Sequence, residues 1–169
     1  MNAPIKKEAL KPPQIAVVGG GYWGKNLVRN FNDLNALHAI CDHDKERLVI
    51  LGDQYPKAQI LSYPEILENS EILGVAIATP AETHHDFIRQ AILAGKDVFV
   101  EKPLCLSVHT GESLVTLAKE KNCILMVGHL LWYHPVIQKL KVLINQGELG
   151  RIQYIYSNRL NLGKIRREE

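Results

Sequence analysis

Short apolar segments alternate with amphipathic segments along most of the chain. Residues 14–19 are apolar, β-branched and bounded by Pro and Gly, which is typical of a buried strand. Residues 23–34 carry their apolar side chains at helical spacing. The same reasoning predicts further strands at 37–42, 58–61, 74–80, 97–101 and 123–129, and helices at 45–55, from about Pro64, 82–95, 107–121 and 134–150.

This alternation determines the predicted fold class. Apolar strands that alternate with helices of about 10–15 residues indicate a parallel sheet with helices on both faces, a doubly wound α/β domain. We assign residues 1–12 to a flexible lead-in and residues 13–130 to this domain. Residues 131–169 then form a linker helix and the beginning of an incomplete second α/β domain.

After Gly150 the hydrophobic pattern changes to a period of two. Ile152, Tyr154 and Tyr156 fall on one side of this segment, which predicts a strand of a different, antiparallel sheet. One strand cannot make a stable sheet. Either a second domain is missing, so that the chain is truncated, or this strand pairs with another chain.

Composition excludes several classes of function. With 46% hydrophobic and 22% charged residues the chain is typical of a globular protein, and its net charge of +2 does not indicate a nucleic-acid or membrane partner. The N-terminus lacks the apolar core of a secretory signal, so a cytoplasmic location is expected. Cys41, Cys105 and Cys123 lack metal-ligand spacing, which predicts buried reduced thiols and no metal site.

A glycine motif joins the first strand to the first helix. Gly19, Gly21 and Gly24 form a G-x-G-x-x-G pattern in the strand–turn–helix context that gives it a mechanism. The first glycine permits a tight turn, the second allows close approach of a pyrophosphate, and the third allows close helix–strand packing. The alternative is a simple strand–helix turn.

An acidic residue ends the second predicted strand. Asp42 is suited to accept hydrogen bonds from both adenosine-ribose hydroxyls and to repel a 2′-phosphate, which favours NAD over NADP. Lys45 and Arg47 are close enough to weaken that preference. Alternatively, Asp42 serves as a turn or helix cap, a role that Asp44 could equally fill.

The sequence Glu101-Lys102-Pro103 follows the strand at 97–101. Ligands of doubly wound sheets bind at the carboxyl ends of strands, which is where Lys102 falls. Oxidation of an alcohol by NAD needs a group that takes the hydroxyl proton, and partial burial beside a positive nicotinamide ring would prepare Lys102 for it. The alternative is a surface lysine at a strand end. Pro103 is a candidate for a cis peptide bond.

Four segments, AVVGGGYWGKN, ATPAETHH, AGKDVFVEKPL and MVGH, occur in this order, and together they resemble the Gfo/Idh/MocA oxidoreductase family over residues 14–169. The resemblance implies a Rossmann domain for NAD(P), followed by a C-terminal α/β domain that binds substrate and commonly forms a dimer contact. A homo-oligomer is therefore expected of the complete protein. Members are longer, and their second catalytic residue, a histidine, has no counterpart here. Many relatives have arginine at Trp132.

The resemblance also implies roles for individual residues. Lys102 would be the catalytic residue, and Asp42 would hold the adenosine ribose. His129 ends the next strand and either faces the same cleft or is structural. The remaining cofactor contacts would be Gly19, Gly21, Tyr22, Trp23 and Gly24 at the pyrophosphate, Thr79, Pro80 and His84 near the nicotinamide, and Glu101 at its ribose.

The substrate is suggested by resemblance alone. Residues 128–169 look most like the branch that oxidises C3 of nucleotide-linked amino sugars such as UDP-N-acetylglucosamine or its uronate. Arg159 and Asn161 share a strand face and are candidates for contact with the sugar or its diphosphate, or are structural. The alternatives are a dehydrogenase of a free sugar or inositol, and a non-catalytic NAD-binding module.

Overall fold

The structure, a computed structural model, describes residues 14–158 and residue 160. The strands in these residues are β1 (Ile15–Val18), β2 (Leu37–Cys41), β3 (Gln59–Ile60), β4 (Gly74–Ile77), β5 (Asp97–Val100) and β6 (Leu125–Val127). The helices are α1 (Gly24–Asp33), α2 (Lys45–Gln54), α3 (Tyr63–Glu68), α4 (His84–Leu93), α5 (Val108–Lys121) and α6 (Pro135–Asn145). Short 3-10 turns occupy Ala81–Thr83 and Leu130–Tyr133.

The six strands form one sheet in the order β3-β2-β1-β4-β5-β6, and every neighbouring pair is parallel. The chain moves outward through β2 and β3, then returns to pair β4 with the other side of β1. This reversal between β1 and β4 is the switch point of a doubly wound sheet. The predicted Rossmann-type α/β fold is confirmed.

Two apolar clusters cover the two faces of the sheet. Along β1, Val17 packs with Val28 of α1 and Leu51 of α2. Ala16 and Val18 point to the opposite face, where they join buried residues of α3, α4 and α5. Because side chains alternate along a strand, the continuous apolar run of β1 contributes side chains to the apolar clusters on both faces of the sheet.

The register of the central strands brings four loops to one edge of the sheet. Val18 pairs with Ile77, Ile77 pairs with Val100, and Val100 pairs with Val127, so these strands end side by side. The glycine loop and the segments beginning at residues 78, 101 and 128 therefore leave the sheet at the same edge. This is the edge at which such folds bind ligands.

Two helix ends differ from the predictions. Ser107 is the residue before α5, as expected, but its side chain makes no capping hydrogen bond. The last predicted helix ends at Asn145 instead of Gly150, because Gly147 adopts a φ of 74°. The Gly147 N–H donates to the carbonyl oxygen of Ile144, which closes the helix end.

The chain divides into two compact units, of which one ends at His129 and the other begins at Leu130. The strand predicted after Gly150 is absent, since the described residues 151–158 contain no strand. Strand pairing needs a hydrogen-bonded neighbour, and the described part of the second unit offers none. Arg159 and Asn161 lie outside the described residues. Between residues 14 and 158 no helix has the length and apolar character required to cross a bilayer.

Candidate cofactor-binding and catalytic site

The three glycines of the loop after β1 have different surroundings. Gly19 adopts a φ of +89°, and a Cβ there would lie 2.8 Å from the carbonyl oxygen of Ala78. A Cβ on Gly24 would lie 1.6 Å from the carbonyl oxygen of Gly19, whereas a Cβ on Gly21 would have no heavy atom within 4 Å. The outer glycines are therefore required for backbone packing, and Gly21 leaves open space above the loop.

A depression of about 340 Å³ lies over this loop. α1 begins at Gly24, so the positive end of its helix dipole is at the same place. Open backbone and a helix N-terminus fit the pyrophosphate of a dinucleotide. The lining residues are Gly20, Gly21, Tyr22, Lys25, Arg47, Ile50, Leu51 and Gln54.

Two aromatic side chains stand at the mouth of the glycine loop. Tyr22 is 71% exposed and Trp23 is 41% exposed, and their rings meet edge to face with centroids 6.0 Å apart. The Lys25 ammonium lies 5.5 Å from the Tyr22 ring centroid. Sequence reasoning missed Lys25, although a cation directly after the third glycine is a signal for an anionic ligand at the helix start.

Asp42 follows β2 and is bound on both carboxylate oxygens. Its Oδ2 accepts a hydrogen bond of 2.6 Å from the Gly20 N–H, and its Oδ1 accepts one of 2.9 Å from the Asp44 N–H. The Arg47 guanidinium lies 3.0 Å from each oxygen. Asp44 caps α2 by accepting a hydrogen bond from the Arg47 N–H, so the capping role falls to Asp44.

These contacts determine the ionisation of Asp42. Burial on its own would raise the pKa of this carboxyl, since only 2% of the side chain is exposed. Hydrogen bonds from Asp44, Arg47 and Gly20 outweigh burial and hold the pKa below its ordinary value. Asp42 is thus a fixed carboxylate beside the glycine loop, already paired with the Arg47 guanidinium.

Beside the glycine loop, the loops after β4, β5 and β6 carry the other predicted residues. Lys102 is exposed, and within the described residues its amine makes no ion pair or hydrogen bond. Glu101 is only 8% exposed, and a Cβ on Gly128 would lie 3.3 Å from its Oε1. His129 is exposed at the end of β6. The expected partial burial of Lys102 is therefore not provided by the described part of the chain.

The loop after β4 is organised by hydroxyl groups. The Thr83 hydroxyl lies 2.7 Å from the Thr79 hydroxyl and 2.7 Å from the carbonyl oxygen of Pro80. Thr79 is half-buried and Pro80 is exposed. His84 is only 1% exposed, with both ring nitrogens against backbone carbonyl groups, so its imidazole lies beneath the surface of this loop. The Lys102–Pro103 peptide bond is cis.

The cysteines, a second cleft and Trp132 lie outside the group of predicted site residues. The three cysteines are free and partly exposed, and burial raises the pKa of Cys41 to about 11. Among the described residues, no three His, Cys, Asp or Glu side chains can hold a metal ion. A cleft of about 350 Å³ between α4 and α5, which contains Arg89 and Glu120, includes none of the predicted residues. In the second unit, the Lys141 ammonium lies 4.1 Å from the Trp132 ring centroid.

The sequence matches a family model described as "Oxidoreductase family, NAD-binding Rossmann fold" (Gfo/Idh/MocA) over residues 14–129. The chain belongs to this family. The match contains the glycine loop, Asp42, Lys102 and His129, and it ends where the first compact unit ends. Residues 14–129 are therefore the NAD-binding Rossmann domain of a Gfo/Idh/MocA oxidoreductase.

Relatives in the family differ in substrate. UDP-N-acetylglucosamine 3-dehydrogenase of Acidithiobacillus ferrooxidans is 28% identical over 144 residues, which cover 85% of this chain and 44% of that enzyme. The scyllo-inositol 2-dehydrogenase (NAD(+)) of Bacillus subtilis is 39% identical over 90 residues, or 53% of this chain and 26% of that enzyme. The crystal structure of GenD2 from gentamicin A biosynthesis, in complex with NAD, is 28% identical with a TM-score of 0.77, and the match covers 88% of this chain and 43% of GenD2.

The matches also show a difference in length. The matched residues span 39% to 44% of the first curated relatives, so the chain is about half as long as they are.

Proposed function

We propose that the chain is the cofactor-binding half of an NAD-dependent dehydrogenase that oxidises a sugar ring hydroxyl, with Lys102 as the catalytic residue. The observation that carries the proposal is the position of Lys102. It follows β5 at the sheet edge shared with the glycine loop, and its amine is exposed without a partner among the described residues.

NAD, when bound, accepts the hydride that leaves the carbon of the alcohol. A group of the protein must therefore accept the proton that leaves the hydroxyl oxygen, and we assign this role to the Lys102 Nζ. Glu101 is buried directly before Lys102 and is suited to accept a hydrogen bond from the nicotinamide ribose. Thr79 and Pro80 flank this position on one side, and His129 flanks it on the other.

We further propose NAD as the preferred cofactor. The Asp42 carboxylate is fixed by two backbone N–H groups, and at neutral pH it is negatively charged at the place where a 2′-phosphate would come. Arg47 offsets part of that repulsion because it lies 3.0 Å from both carboxylate oxygens. We therefore expect tighter binding of NADH than of NADPH, with a difference that grows in Arg47→Gln.

For the substrate, we propose C3 of a nucleotide-linked amino sugar such as UDP-N-acetylglucosamine or its uronate. The similarity to UDP-N-acetylglucosamine 3-dehydrogenase over 85% of the chain supports this choice. The higher identity to scyllo-inositol 2-dehydrogenase, over 53% of the chain, supports a free sugar or inositol as the second candidate. Inhibition of turnover by UDP would be expected only for the first.

The test combines cofactor binding with turnover. NADH fluorescence titration of the chain should give saturable binding, with weaker binding of NADPH. In the complete protein, Lys102→Ala should lower kcat by about 10²–10⁴ while the affinity for NADH changes little. Wild-type turnover by Lys102→Ala would refute the catalytic assignment. NADH binding without turnover of any sugar, sugar nucleotide or inositol would support a non-catalytic NAD-binding module instead.

Two accompanying expectations remain predictions. The complete protein is expected to form a homo-oligomer through its C-terminal domain and to be cytoplasmic. Sedimentation of the complete protein would test the first, and fractionation of the source cells would test the second.

A further inference from the structure

His84 is the first residue of α4, and its imidazole is buried between two loops at the carboxyl edge of the sheet. Its Nδ1 lies 2.7 Å from the carbonyl oxygen of Pro103, and its Nε2 lies 2.9 Å from the carbonyl oxygen of Thr79. The ring therefore connects the loop that follows β5 with the loop that follows β4. The resemblance implies a place near the nicotinamide for His84, and the two loops that its ring connects carry Thr79 and Lys102.

The chemistry of the two contacts determines which ring nitrogen of His84 carries a hydrogen. Both partners are carbonyl oxygens, which only accept hydrogen bonds, and a neutral imidazole carries a single N–H. The shorter contact is with Pro103. A neutral ring that bonds Pro103 must carry its hydrogen on Nδ1, and the doubly protonated ring donates to both carbonyls. In either state, the contact with Pro103 requires a proton on Nδ1.

The position of Lys102 is determined by its backbone, because its side chain is not held by other residues in the described part of the chain. Its side chain is exposed, and its amine has no partner among the described residues. The Pro103 carbonyl belongs to the next residue, and His84 is its buried contact. We propose that His84 is a positioning residue that, through the Nδ1–H bond to Pro103, holds the Lys102 loop in place against the nicotinamide half of the cofactor. The inference rests on the proposed function, since it assumes that this loop meets the nicotinamide.

The two hydrogen bonds can be separated by substitution. The amide nitrogen of Asn falls near the place of the histidine Nδ1, and that of Gln falls near the place of Nε2. His84→Asn therefore keeps a donor for Pro103, His84→Gln keeps a donor for Thr79, and His84→Leu keeps neither. His85 is the matched control because it is the adjacent histidine, and its ring Nδ1 contacts the Asp86 carboxylate at the surface.

The readout compares NADH with ADP-ribose, which lacks the nicotinamide. We expect His84→Leu and His84→Gln to weaken NADH binding by roughly tenfold, the value of one hydrogen bond, while ADP-ribose affinity stays within about twofold. We expect His84→Asn and His85→Gln to behave like the wild type. A merely structural role would weaken both ligands together. If His84→Leu does not fold, the Asn and Gln variants decide the question, because they differ only in which donor they keep.

A second readout needs no cofactor. The backbone amide resonances of Lys102 and Leu104 should move in His84→Leu and return toward their wild-type positions in His84→Asn. Nitrogen-15 spectra of the wild-type ring should show a protonated Nδ1, and an unprotonated Nδ1 would overturn the inference.

The outcomes also separate the inference from the proposed function. Equal losses for NADH and ADP-ribose, or an unchanged NADH affinity in His84→Leu, would overturn the positioning role alone. A wild-type chain that binds neither NADH nor ADP-ribose would overturn both, since no dinucleotide site would then exist at this edge.

Discussion

Gly24 and Gly21 belong to the same loop, yet the structure predicts different outcomes when each is replaced by alanine. A Cβ on Gly24 would lie 1.6 Å from the carbonyl oxygen of Gly19, which is backbone, and real Cβ atoms essentially never come closer than 3.0 Å to another heavy atom. Gly24→Ala must therefore move α1 away from β1 by about 1.4 Å or more in a close-packed interior. Gly21→Ala meets no heavy atom within 4 Å.

The magnitudes follow from these distances. Overpacking of a rigid site lowers the free energy of unfolding by about 1–3 kcal/mol and sometimes more, and a clash with backbone puts Gly24→Ala at about 3 kcal/mol or above. Domains are stable by only about 5–15 kcal/mol, so this loss is large. Gly21→Ala should change stability by less than about 1 kcal/mol. Its methyl group would occupy the space that a pyrophosphate needs, so we expect at least about tenfold weaker NADH binding.

The assay is urea unfolding and NADH titration of both variants beside the wild type. Gly52→Ala is the matched control, because it makes the same chemical change within α2, where the nearest atom to its Cβ would be 3.6 Å away. It should leave NADH affinity unchanged. A Gly24→Ala protein that unfolds at the wild-type urea concentration would refute the steric reasoning. A Gly21→Ala protein with wild-type NADH affinity would refute the pyrophosphate position.

Two further predictions concern buried charges. Asp42→Asn should lower the free energy of unfolding at pH 7 by about 1–3 kcal/mol, since charged hydrogen bonds to Gly20 and Arg47 are weakened. The folded-state pKa of Asp42 lies below its unfolded value near 3.8. The stability difference between the wild type and Asp42→Asn should therefore have its full size above pH 3.8 and should shrink as the pH falls through the folded-state pKa. A stability difference that disappears at higher pH would contradict this reasoning. Lys96 is 6% exposed, and its ammonium donates to the backbone carbonyl oxygens of residues 69 and 72 at 2.6 and 2.7 Å, so Lys96→Met should cost about 1–3 kcal/mol in urea unfolding. Unchanged stability would mean that the desolvation which lowers the pKa of Lys96 cancels its two hydrogen bonds.

The fold is predictable from the sequence because its signals are local. The apolar run of β1, the glycines after it and the helical spacing of α1 agree with one another, and the same agreement recurs through β5 and Lys102. Hydrophobic periodicity and turn chemistry need only neighbouring residues. That is why the sheet, and the edge that carries Lys102, can be inferred from the amino-acid sequence alone.

The features that the sequence does not predict depend on contacts between distant residues. The resemblance implies a place near the nicotinamide for His84, but not the contacts of its ring with carbonyl oxygens of two separate loops. Arg47 is recognisable in the sequence as a nearby charge, but its contact with both oxygens of Asp42 is not. In the described residues 151–158 the strand predicted after Gly150 does not form, for a related reason: alternation produces a strand only where a neighbour is available to pair with it.

The hydrogen bond between the Gly20 N–H and Asp42 joins the glycine loop after β1 to the carboxylate that follows β2. The glycine loop and the acid that we propose for the adenosine ribose are thus held together by the protein itself, so a dinucleotide bound there would cost little ordering entropy. The same bond limits how cofactor preference can be engineered. A neutral replacement of Asp42 chosen to admit NADP would also release the glycine loop, unless the new side chain still accepts a hydrogen bond from Gly20. Engineered switches at this position should therefore begin with serine, threonine or asparagine rather than with alanine or glycine.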